Sequence, residues 1–177
     1  TQTAPLKNGF NATIGSGYND KSGKGIYNTS LTYGGRTKDK KFGYLFNLTK
    51  FNRNWSTDNF EARRNGDQGV FRMELRDYNG IRKTTGVNVA FEHNPTSKDK
   101  IYLKALYGSL NDDETHYKHR VRFDKFNSTT NVARVELQNI HNILITELKS
   151  VTLGGKHELN KSKIDWDLSV YENEFKY

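Results

Sequence analysis

SVTLGGKHELNKSKIDWDLSVYENE, residues 150–174, contains two runs of alternating side chains separated by the polar tetrapeptide 160–163. In the second run Ile164, Trp166, Leu168 and Val170 fall on one side, against Asp165, Asp167 and Ser169 on the other. Successive side chains of a β-strand point to opposite faces, so this run reads as a strand with one wholly apolar face and one acidic face. The preceding run pairs with it as a hairpin around Asn160.

The same period of two recurs along the chain, and no strong helical period does. Phe10, Ala12, Ile14 and Tyr18 oppose Asn11 and Thr13; Tyr27, Thr29, Leu31 and Tyr33 oppose Asn28, Ser30 and Thr32. Phe42, Tyr44, Phe46 and Leu48 alternate with Gly43, Leu45, Asn47 and Thr49. Val87, Val89 and Phe91 oppose Asn88, Ala90 and Glu92, and Ile101, Leu103, Ala105 and Tyr107 oppose Tyr102, Lys104 and Leu106. Short turns at 34–41, 94–100 and 159–163 and a short link at 19–25 join these runs, while two long polar segments, 53–80 and 111–142, read as loops. Within those segments residues 70–78 and 117–126 are candidate additional strands.

Composition fits half-buried strands better than a conventional core. Of the 177 residues 33% are apolar, against a usual value nearer half, yet 12% are aromatic. A mean hydropathy of −0.89 therefore does not imply disorder, since a disordered polar chain carries few aromatics. There is no cysteine, which excludes disulfides, thiolate metal sites and cysteine nucleophiles. No run approaches the roughly 18 apolar residues of a membrane-spanning helix, but a spanning strand needs only about 10 alternating residues. The formal charge of +8 is scattered through turns such as 36–41 and 98–100, and no nucleic-acid-binding motif accompanies it.

A meander with short turns at one end and long connections at the other is the layout of an outer-membrane barrel, in which apolar residues face lipid and polar residues a wet lumen. A soluble barrel reverses those faces, and alternation alone does not separate the two. Polar faces of Asn, Ser, Thr, Asp and Gly, the scarcity of aliphatics, and the aromatics Tyr33, Phe42, Phe91 and Trp166 near the turns favour the membrane barrel. The expected fold is thus all-β: an antiparallel meander of about 7–10 strands forming part of a transmembrane β-barrel. Its expected lipid-facing residues are Phe42, Tyr44, Phe46, Val87, Val89, Phe91, Ile164, Trp166, Leu168 and Val170.

The strings RKTTGVNVAFEHNP (82–95), KIYLKALY (100–107) and NDDE (111–114) resemble TonB-dependent outer-membrane receptors, as do LGGKHEL (153–159) and IDW (164–166). In that family a descending strand ends in an aromatic-x-x-Asn-Pro turn and returns as an aromatic-rich strand. Residues 8–51 resemble the first barrel strands after the plug. The resemblance implies residence in the outer membrane of a Gram-negative bacterium and uptake of a scarce nutrient such as a ferric siderophore, cobalamin or a glycan. It also implies contact with lipid and lipopolysaccharide, a remaining barrel and plug, a TonB complex reached through an N-terminal part not in these residues, and a small-molecule or metal-chelate ligand. Residues 1–177 are then one barrel segment, expected to belong to a larger barrel. A small self-contained outer-membrane barrel for ligand binding or adhesion, and a soluble lipocalin-like carrier, are the alternative readings.

Neither catalysis nor a cofactor has an anchor: no nucleophile elbow, phosphate loop or His-Glu-x-x-His occurs. Asp165 and Asp167 lie about 7 Å apart along one strand face, a separation that imitates a hydrolase pair but suits a lumen wall. Asp112, Asp113, His116 and His119, with Glu114 between, are candidate metal ligands by donor type, and an acidic loop beside Lys118 and Arg120 is the plainer reading. His93, His141 and His157 sit near strand ends as structural or exposed groups. Arg63, Arg64, Arg72 and Arg76 are the candidates for meeting an anionic ligand or lipopolysaccharide, because the planar guanidinium fork matches carboxylate and phosphate. Asn-x-Ser/Thr sites at Asn11, Asn28, Asn47, Asn54, Asn127 and Asn160 read as by-products of an Asn- and Thr-rich polar face.

Overall fold

The computed structural model describes residues 4–64, 66, 69–127 and 132–177. Its strands are β1 (Gly9–Asn19), β2 (Lys24–Arg36), β3 (Phe42–Arg64), β4 (Val70–His93), β5 (Asp99–Asn127), β6 (Val132–Glu158) and β7 (Lys163–Lys176). They form one seven-stranded antiparallel sheet in the order β1-β2-β3-β4-β5-β6-β7. Among the described residues β1 pairs only with β2 and β7 only with β6. The all-β antiparallel meander read from the sequence is therefore present.

Two expectations change. Of the segments 53–80 and 111–142, residues 53–64, 70–80, 111–127 and 132–142 are strand: β3 and β4 pair from Phe42↔His93 to Arg64↔Val70, and β5 and β6 from Asp99↔His157 to Asn127↔Val132, while residues 65, 67, 68 and 128–131 lie outside the described residues. Residues 70–78 and 117–126 are strand, as proposed, but they prolong β4 and β5 instead of adding strands. The reason is that the apolar sets here are short, Phe71, Met73 and Leu75 against Arg72, Glu74 and Arg76 and Val135 and Leu137 against Arg134 and Glu136, and lie among many charged residues. Whether such a run prolongs a strand or adds one is decided by the backbone ladder and cross-strand pairs, which depend on residues far away in sequence.

Short turns close the opposite end with local polar side chains. Asp39 accepts from the Thr37 hydroxyl at 2.5 Å and from the Lys41 amide at 3.1 Å, while Lys40 adopts φ 58. Those two bonds, led by the Thr37 hydroxyl, hold the Asp39 carboxyl below its ordinary range. The Thr96 hydroxyl likewise donates to Asp99 at 2.5 Å. His157 bridges strands here: its Nδ1 lies 2.8 Å from Asp99 Oδ1, and its Nε2 accepts from Trp166 Nε1 at 3.2 Å.

The register sorts every strand into the same two faces. On the first, the apolar face, one row runs Phe10, Tyr33, Phe46, Val89, Ala105, Val151, Val170 through all six pairings. The next row runs Tyr44, Phe91, Leu103, Leu153, Leu168. All ten residues expected to face lipid lie on this face. Phe10, Leu168 and Val170 are 68–71% exposed, whereas Leu45 and Ala90 on the opposite face are 8% and 5% exposed. The buried charged groups Glu74, Glu92 and Asp112 also belong to that opposite, polar face. The chain ahead of β1 lies there too: the Ala4 amide donates to Glu92 at 3.0 Å, and Arg36 donates to the Ala4 carbonyl at 3.2 Å.

Aromatic rings roof glycines on the neighbouring strand, which explains the pair Gly154-Gly155 in the decisive stretch. A Cβ at Gly154 would come within 2.4 Å of the Tyr102 ring on the polar face, and one at Gly155 within 2.6 Å of Trp166 on the apolar face. Trp55 covers Gly80 in the same way, 2.6 Å from the position of a Cβ. Both tryptophans of the chain are thus held over glycine. Gly80→Val and Gly155→Val are each expected to change tryptophan emission and to cost about 1–3 kcal/mol of stability, as overpacked sites do. Gly17→Val, where the nearest atom lies 3.9 Å away, should leave emission unchanged; an unaltered spectrum in Gly80→Val contradicts the contact.

Candidate functional site

Beyond the end of β2, strands β3 to β6 continue together, and their polar face carries the densest charge of the described residues. Four arginines stand side by side in one register row: Arg63↔Arg72, Arg72↔Arg122 and Arg122↔Arg134. The next row is Glu61, Glu74, Arg120, Glu136, and the one after it Asn59, Arg76, Lys118, Gln138. These alternate positions share a face because the strand period is two and the register is unbroken here.

Glu74 is the centre of the network. It is 1% exposed, accepts from Arg76 Nε at 2.7 Å and Arg120 Nε at 2.6 Å, and lies 3.0 Å from Arg72 Nε. Burial acts to raise its pKa, but the hydrogen bonds from Arg76 and Arg120 outweigh it, so the carboxyl is held below its ordinary 4.5. Glu136 takes Arg120 at 2.9 Å, Arg134 at 3.2 Å and Arg122 at 3.8 Å. Arg63 and Arg76 both pair with Glu61, and the Arg63 bond leads in holding that carboxyl low as well. Arg122 also takes Asp124 at 2.7 Å. Six arginines thus face four carboxylates (Glu61, Glu74, Asp124, Glu136), an excess of two positive charges.

Three of the arginines singled out in the sequence, Arg63, Arg72 and Arg76, are brought together here, and Arg64 is exposed beside the register shift that follows Arg63. Arg120, Arg122 and Arg134 were missed. Their signal was present as Arg-x-Arg at 120–122 and Arg-x-Glu at 134–136, matching Arg-x-Glu-x-Arg at 72–76, but its meaning depends on pairing.

The candidate metal ligands are not brought together. Asp112, Glu114 and His116 lie on the polar face, and Asp113 and His119 on the other. Asp112 accepts from Arg82 Nε at 2.9 Å, Glu114 lies 2.9 Å from His116 Nε2, and Asp113 lies 2.7 Å from His141. Strand pairing converts what reads as one acidic loop into two opposed sets, and among the described residues no group of three His, Cys, Asp or Glu is arranged to hold a metal. Asp165 and Asp167 share the polar face, the former 3.1 Å from Lys156 and the latter opposite Gly154.

No protein-family model, curated protein or solved structure matches the chain. The described residues form an antiparallel seven-stranded meander with one apolar and one charged face.

Because the Glu74 pKa is lowered on folding, its stabilisation is complete above 4.5 and is lost as pH falls through the lowered value. Glu74→Gln removes the charge at all pH values, takes from Arg72 its carboxylate and leaves Arg76 and Arg120 with one each, Glu61 and Glu136, an expected loss on the order of 3 kcal/mol in the extension. Hydrogen exchange of residues 70–78 and 117–124 reads it. Protection that is equal in variant and wild type at pH 7 contradicts a central role for Glu74.

Proposed function

We propose that this chain is a stretch of barrel wall from an outer-membrane receptor of the TonB-dependent class, which takes up a scarce nutrient such as a ferric siderophore, cobalamin or a glycan. The observation that carries this reading is the apolar face, continuous through all seven strands and exposed. It covers residues 42–48 of β3, 101–107 of β5 and 164–170 of β7, about 20 Å at roughly 3.4 Å per residue, on the order of the ~25 Å apolar height of such barrels. Water-soluble monomers rarely leave an apolar surface of that extent uncovered, whereas lipid covers it without a protein partner.

In this reading the short turns at 37–41, 94–98 and 159–162 lie on the periplasmic side, and the β3–β4 and β5–β6 extensions reach outward past lipopolysaccharide. Backbone groups on the free edges of β1 and β7 have no water to bond in a bilayer, so further strands of the receptor close the barrel around its plug. The energy-coupling TonB complex then acts on the plug, and this chain supplies wall, lumen surface and the first ligand contacts. No bond is made or broken.

The faces make an asymmetric expectation. Val89→Lys, on the apolar face, should lower the yield of folding into lipid vesicles, at about 2–4 kcal/mol, while Asn88→Lys, one residue away on the polar face, should be tolerated. Recovery of the chain from cells in the outer-membrane fraction, released only by detergent, is the direct check. Release by salt or in the soluble fraction contradicts the proposal.

A further inference from the structure

We infer that the row Arg63, Arg72, Arg122, Arg134 is a binding site for a small ligand bearing several carboxylate or phosphate groups. The inference deepens the proposed function and rests on it in one respect: that the polar face looks onto water and not onto lipid.

Like charges set directly opposite each other across strands destabilise a sheet, so a row serving stability alone would interleave signs. Here four guanidinium groups occupy four consecutive strands without interruption. At about 4.8 Å between strands the row is about 14 Å long. The described carboxylates lie mostly on one side of it. Glu61, Glu74 and Glu136 lie in the row nearer the centre of the sheet, with Arg120 among them and Arg76 and Lys118 in the row after that, while Asp124 meets Arg122 from the hairpin side at 2.7 Å. Among the described residues, adding Lys118 to the six arginines against four carboxylates brings the excess to three positive charges.

The glutamates act as a second layer that aims the guanidinium groups. Each arginine has five N–H donors in a fixed fork, and one or two of them suffice for a glutamate. Arg72 makes the point: its Nε is buried and has no hydrogen-bond acceptor even though Glu74 lies 3.0 Å away, because the geometry is off-line. The ends of the row are open, with the Arg63 and Arg134 side chains 52% and 62% exposed, and the middle is partly covered, with Arg72 and Arg122 at 18% and 28%. This is a cationic row whose forks are held by glutamates, suited to oxyanions repeated along a molecule about 10 Å long, since bidentate guanidinium pairing selects planar carboxylate and tetrahedral phosphate over neutral hydroxyls. Among the nutrient classes above, it favours an anionic chelate or acidic glycan over an uncharged one.

The test uses the purified chain in detergent micelles, with citrate and tripolyphosphate as probes, maltotriose as neutral control, and titration calorimetry at low and raised salt. Both anions should bind, more weakly at raised salt, and maltotriose should not. Arg63→Gln with Arg134→Gln should weaken binding at least tenfold. This pair leaves Glu61 with Arg76 and Glu136 with Arg120 and Arg122, so the network keeps its inner bonds. Lys38→Gln with Lys161→Gln removes the same charge from exposed turns at the far end and should leave binding within about twofold. Arg63→Lys with Arg134→Lys keeps the charge but loses the forks and should fall between. The inference is overturned if neither anion binds, if maltotriose binds as well as citrate, or if the two glutamine pairs weaken binding equally. None of these outcomes depends on where the protein resides in the cell, so failure here and failure of the membrane assignment are distinguishable.

Discussion

Everything in this molecule depends on the unbroken register of its backbone ladder. From Phe10↔Tyr33 to Val151↔Val170 no pairing slips in the lower part of the sheet, and the irregularities fall only at Arg63/Arg64 and between Arg122 and Asn127, next to the hairpin ends. A slip of one residue would send a strand's whole apolar set to the charged side. The constraint is strict because the two sides differ in their main content: one carries most of the Phe, Val and Leu, the other Glu92, Glu74 and Asp112, each of which has an arginine partner. Segregation of solvent preference and fidelity of pairing are one property.

Several local devices maintain that register. Trp55, Tyr102 and Trp166 lie over Gly80, Gly154 and Gly155, so these three rings fill the room left where the opposite strand has no side chain. The Trp166, His157 and Asp99 chain ties β7, β6 and β5 at the short-turn end. At the far end, arginine and glutamate rows do the same with charge on one face, while Phe60, Leu75, Val121 and Val135 lie on the other. The charged extension and the apolar lower part are therefore one sheet, with ion pairs concentrated on one face of its upper part. A ligand that met the arginine row would touch strands that run straight into the wall.

The lower half of the sheet was legible in the sequence because its alternation is between apolar and polar residues, a contrast that one strand displays alone. All ten apolar-face residues named from the sequence share one face. The upper half was legible only in part. Residues 70–78 and 117–126 read as strands, but which strands they prolong does not show in one segment, and the arginine row exists only when Arg63, Arg72, Arg122 and Arg134, up to 71 positions apart (134 − 63), are set side by side. The metal candidates failed for the same reason, since Asp112 and Asp113 are neighbours in sequence and opposites in the sheet. Arg64 is the residue whose partner the alternation does not define, because the register shifts there.

The chain contains no cysteine, so single cysteines can be introduced one at a time without background. Along β4 the substitutions Gly86→Cys to Glu92→Cys, in protein reconstituted into vesicles, would be scored for reaction with a water-soluble maleimide and for quenching by brominated lipid. The central claim requires a period of two: positions 87, 89 and 91 quenched by lipid and slow to react, positions 88, 90 and 92 reactive and unquenched. Uniform reactivity, or quenching at the even positions, would contradict an apolar wall that faces lipid.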